Sequence, residues 1–134
     1  MAGSSRLPVS LGLAAVIACF ALPGAAQQAD AGSHRVLGTV TFPVQCSPAA
    51  QADFNHGMLL QHSFWYQAAG EAFRGVRRQD PGCTMAYWGE ALTLLTNPYS
   101  PPPPENLRAG RALLEEAKRL GARNPREAAY IDAL

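Results

Sequence analysis

Cys46, Cys83 and His62 are the residues with the most chemistry to offer in this chain. Thiolate and imidazole ligate zinc, copper and haem iron, so the three would make a partial metal or haem centre if the fold gathered them. The same two thiols can instead close a disulfide, or stay buried and free. His56 and His62 are six positions apart, about 120° out of line on a helix, so one helix does not present both to one ion. His34 lies in a small, polar leader with little claim to a role. The acids Glu71, Asp80 and Glu90 fall singly on expected helix surfaces or ends, with no close pair for acid–base work. No G-x-S-x-G elbow, phosphate loop, C-x-x-C-H or H-E-x-x-H occurs, so the sequence carries no enzyme signature and calls for no cofactor.

Which fate the thiols meet depends on the compartment. Arg6, an apolar run from Leu7 to Leu22 and the small residues Pro23-Gly24-Ala25-Ala26 follow the order of a secretory signal peptide, with cleavage after Ala26 or Ala31. A membrane anchor is the alternative, though the run is shorter than the roughly 20 residues that span a bilayer. Lipoprotein processing at Cys19 is disfavoured by the poor triplet before it. Removal of residues 1–26 takes one base and no acid from the 11 basic and 10 acidic residues, leaving no net charge. Binding to nucleic acid or to an anionic membrane therefore has no electrostatic basis. With export, the even pair Cys46 and Cys83 favours a disulfide, and each precedes an expected helix.

The elements that would position these residues are helical. Residues 27–35 form a polar leader, and Val36 to Val44 alternates as an extended arm or short strand, with Pro43 arguing against a central sheet position. Ser47-Pro48 starts a first helix that runs to about Ser63. An aromatic turn leads to a second helix ending near Gln79, and Asp80-Pro81-Gly82 breaks it. A third, nearly apolar helix spans about Cys83 to Leu95 and needs neighbours on both flanks. Pro101 to Pro104 favours polyproline conformation and forms a stiff loop. Leu107, Gly110, Leu113, Leu114, Ala117 and Leu120 stripe a fourth helix that Gly121 stops. Asn124-Pro125 opens a last one, with Glu127 able to reach back to its cap. The expectation is an all-α fold of antiparallel helix pairs over residues 48–134, with residues 27–47 as leader and extended arm.

Gly57, Leu60, Tyr66, Ala69, Phe73, Val76 and Pro81 place small and large residues at offsets suited to close helix pairing. This pattern resembles the tetratricopeptide repeat, whose period is about 34 residues. A second repeat would begin at Thr84, with Tyr87 and Ala91 at its first aromatic and small positions. Asp53 and Arg77 depart from the family's aromatic and apolar preferences, and the proline loop lengthens the second repeat. More narrowly, HSFWY, C-x-M-A-Y-W-G, N-P-Y and N-P-R-E-x-A-Y-I-D-A resemble a group of exported bacterial proteins with such repeats. About two repeats and the first helix of a third are present, which reads as the N-terminal part of a longer protein.

The resemblance implies a non-catalytic scaffold that binds a protein or peptide partner in the periplasm or cell envelope. Its groove would be lined by Gln51, Phe54, Met58, Gln61 and His62 from the first repeat, and by Met85, Trp88, Leu92 and Leu95 from the second. The competing expectation is that Phe54, Trp88 and Leu92 pack against neighbouring helices or the arm. Trp65 and Tyr66, at the turn, are expected in the core.

Overall fold

The computed structural model describes residues 38–134; the expected signal peptide (1–26) and the leader and arm as far as residue 37 lie outside them. The described residues form five helices, α1 (Pro48–His62), α2 (Tyr66–Gln79), α3 (Thr84–Thr93), α4 (Pro104–Leu120) and α5 (Pro125–Ala133). No strand occurs among them. Each helix packs on the next in sequence, α3 also touches α1, and α5 also touches α3.

Local chemistry sets the helix bounds. Ser47 Oγ accepts from the Ala50 N–H at 3.3 Å and Asn124 Oδ1 from the Glu127 N–H at 2.9 Å, and a proline follows each cap where no amide donor is needed. Gly121 closes α4 at φ 82°. The turn between α1 and α2 has no glycine, and Phe64 itself takes a left-handed φ of 63°, at a cost of about 1–2 kcal/mol. Thr96, just beyond α3, does the same at φ 55°.

The core is organised around one ring. Phe73 of α2 is fully buried and lies between two glycines, Gly57 of α1 and Gly89 of α3. A Cβ at Gly57 would come within 2.8 Å of that ring, and one at Gly89 within 2.6 Å. The small residues at these positions are thus what let three helices share one aromatic. Phe54 meets the same ring at a centroid distance of 5.3 Å. Gly89→Ala should therefore overpack the site and destabilise the fold by about 1–3 kcal/mol, read as a lowered urea midpoint. A neutral substitution would mean that α2 can shift away at little cost.

Two acids do more than their sequence context suggests. Glu90, expected on a helix surface, is buried on α3 and ion-paired with Arg77 and, at 3.3 Å, Arg74 of α2. The Arg77 guanidinium also lies 4.3 Å over the Tyr87 ring, which explains a cation where the repeat pattern favours an apolar residue. Asp80, expected only to make a turn, accepts from Gly82 N–H through Oδ1 and from Ser47 N–H at 2.8 Å through Oδ2. It ties the start of α1 to the loop before α3. Cys46 and Cys83 are joined there by a disulfide, their Cα atoms 4.9 Å apart, so two neighbouring helix starts are linked covalently.

Candidate functional site

The face expected to bind a partner is built from α1 and α3, and it divides into a covered half and an open half. On the covered half, residues 42–45, which belong to neither helix nor strand, are gripped by side chains. Gln51 reads the backbone in both directions: Oε1 accepts from the Val44 N–H at 2.8 Å and Nε2 donates to the Phe42 carbonyl at 3.0 Å. Asn55 Oδ1 accepts from the Phe42 N–H at 3.1 Å. From the far side, Arg126 donates to the Pro43 carbonyl and Arg123 to the Gln45 carbonyl, at 2.8 and 2.9 Å. Glu127 Oε1 accepts from the Gln45 N–H at 2.6 Å. Glu127, expected to reach back to its own cap, is instead buried against this segment, because burying a carboxylate requires a donor and Gln45 supplies one.

Side chains add an aromatic cage. Phe42 stacks on Trp88 at 6.0 Å, tilts against Phe54 and Tyr130 at 5.7 and 5.4 Å, and carries the Arg126 guanidinium 4.6 Å above its face. Val44 is buried in the core cluster. Six backbone polar groups on four consecutive residues are thus read by five side chains from α1, α5 and the loop between α4 and α5.

On the open half, the C-terminal ends of α1 and α3 and the proline loop enclose a hollow of about 720 Å³. Gln61, His62, Leu92 and Leu95 line it with Phe64, Tyr66 and residues 96–102. Gln61 Oε1 is buried there with no hydrogen-bond partner. Phe64 is 68 % exposed and Tyr99 91 % exposed, an unusual amount of ring in water. Among the described residues, both non-glycine positions with left-handed backbone, Phe64 and Thr96, line this hollow.

The sequence-predicted residues therefore separate into three groups. Gln51 and Trp88 lie under residues 42–45; Gln61, His62, Leu92 and Leu95 meet at the hollow; Phe54, Met58 and Met85 are buried in the core cluster. Trp65, expected in the core, is 56 % exposed instead. It follows directly on Phe64, whose own φ is positive. The sequence assigned no binding role to Arg123, Arg126 or Tyr130, and gave Glu127 only a role at its own helix cap. Their only signal was charge and an aromatic ring on, or just before, a capped helix.

Cys46, Cys83 and His62 do not converge. Both sulfurs are used by the disulfide, and His62 ends α1 at the opposite end from Ser47, which a helix of 15 residues puts about 20 Å away. A centre built on these three is excluded by that geometry. Among the described residues no group of three His, Cys, Asp or Glu is placed to hold a metal ion. The carboxylates of Glu71 and Glu116 are held below their ordinary range, chiefly by hydrogen bonds from Arg74 and Arg119, but these are surface ion pairs one helical turn apart, outside the hollow.

Comparison with family models, with curated proteins and with solved structures finds no match.

Proposed function

We propose that this chain is a non-catalytic helical-repeat scaffold of tetratricopeptide type, exported to the periplasm or cell envelope, that recognises segments of protein on its α1–α3 face. One observation carries the reading. The covered half of that face already holds residues 42–45 of the same chain by their backbone groups, through side chains from two helices and one loop. Recognition of an extended segment through main-chain groups, with pockets for alternate side chains, is a general mode of peptide binding. The open half continues the same two helices with apolar and aromatic surface and is available to a ligand from outside. The disulfide agrees with an oxidising compartment.

An array of immobilised extended peptides, screened with the oxidised full-length protein, tests this. A subset rich in aromatic and aliphatic residues should be retained, and Leu95→Glu, which puts a charge on the rim of the hollow, should weaken retention at least tenfold. Leu95 is exposed, so its replacement should leave the far-ultraviolet dichroism unchanged. Retention of no peptide, or retention indifferent to Leu95→Glu, would overturn the proposal.

A further inference from the structure

Residues 42–45 fill the covered half of the α1–α3 face without using all that it offers. Pro43 has no N–H, and the three that remain are accepted by Asn55, Gln51 and Glu127. Within these four residues, side-chain identity is read at two positions: Phe42 among its aromatic neighbours and Val44 in the core cluster. Pro43 and Gln45 are exposed. The other readers, Arg123 and Arg126, are exposed guanidiniums that meet only neutral carbonyls of the segment. Neither forms an ion pair among the described residues. The acids beside them are already engaged, Asp80 with the N–H groups of Ser47 and Gly82, and Glu127 with that of Gln45.

We propose that the covered half is a docking site for an acidic segment of a partner protein, aromatic–acid–aliphatic in pattern, and that residues 42–45 are a neutral strap lying in its place. This rests on the α1–α3 face being a recognition surface and names the class of segment its covered half takes. The aromatic enters where Phe42 lies and the aliphatic where Val44 lies. The carboxylate between them, at the position of Pro43, pairs with Arg126, whose guanidinium already bonds the carbonyl of that residue at 2.8 Å. A guanidinium fork matches a carboxylate with two parallel bonds, where a carbonyl takes one. A second copy of this chain is not the occupant. Residues 38–47 contain no Asp or Glu, so its segment would bring the same neutral carbonyls and gain nothing over the one already attached. Departure without replacement would leave the Glu127 carboxylate without its donor and the Trp88 ring uncovered, so the strap leaves only as another segment enters.

Capped pentapeptides titrated calorimetrically into the oxidised full-length protein test this: Thr-Phe-Glu-Val-Gln, and Thr-Phe-Gln-Val-Gln as its neutral counterpart. A tethered strap competes at millimolar effective concentration. Phe42→Ala, which loosens it, should therefore bind the acidic peptide at least tenfold more tightly than the parent does. The variant should also prefer the acidic peptide to the neutral one about fivefold. That preference should shrink below twofold at about 0.5 M salt, and in Phe42→Ala combined with Arg126→Gln. Where Phe42→Ala unfolds the chain, the acidic peptide should restore its dichroism and raise its melting temperature, because it binds the folded form alone. Equal affinity for the two peptides, equal affinity of parent and variant, or neither binding nor restoration up to millimolar peptide each overturns the inference. A protein that fails in this way but still retains array peptides in a Leu95-dependent manner keeps the broader reading; one that also retains none loses both.

Discussion

Phe73→Ala is expected to destabilise the protein by about 3–5 kcal/mol, the upper part of the range for single core substitutions. Two losses combine. The ring is fully buried, so its transfer free energy is forfeited, and its flanking residues on α1 and α3 are Gly57 and Gly89, which have no side chains to move into the space. The cavity should therefore stay largely open on those two sides. Urea unfolding followed by dichroism gives the loss directly. A change below about 1.5 kcal/mol would show that α1 and α3 collapse onto each other. The same geometry predicts a reversal: Gly89→Ala, damaging in the native chain, should be neutral or helpful beside Phe73→Ala, because the atoms it would strike are gone. That non-additivity separates close packing from a simple intolerance of α3 to substitution.

The second large effect concerns the disulfide. Replacing Cys46 and Cys83 by serine should cost about 4 kcal/mol, since a link across a sequence separation of 37 removes that much chain entropy from the unfolded state. For a domain of this size the melting temperature should fall by roughly 15 to 30 °C. Thermal scans of the double variant, compared with the parent in oxidised and reduced form, measure it. The Ser47–Asp80 hydrogen bond joins the same two helix starts. If the double variant melts within a few degrees of the parent, that polar contact and the surrounding core already hold the starts together in the reduced chain.

Much of the helical order was legible because it rests on local chemistry. Ser47-Pro48 and Asn124-Pro125 are capped starts, Gly121 is a left-handed stop, and the small and large residues from Gly57 to Val76 recur at helical steps whatever the fold around them. The cysteine pairing was legible as an even count in a chain expected to be exported. The turn was not: Trp65 is exposed next to a left-handed Phe64, and a left-handed aromatic has no signature in sequence. Nor was the role of Glu90, since an acid on an apolar helix reads as surface until Arg74 and Arg77 are known to stand opposite. The covered half of the site was the least legible. Its partners lie some 80 positions apart along the chain, in Gln45 with Arg123 and Glu127 and in Pro43 with Arg126. No periodicity relates a non-helical segment to a helix that far downstream.

Those same long-range bonds change how the molecule comes apart. In a linear stack of helix pairs, units at the two ends can open independently, and a helix as short as α5 would be the first to melt. Here the segment that precedes α1 is laced to α5, so the earliest and latest parts of the described chain form a closed circuit. Opening either end exposes Phe42, Trp88 and Tyr130 together and strands the buried carboxylate of Glu127. Piecewise loss is thereby discouraged, and the five helices are bound into one cooperative unit rather than a row of separable ones.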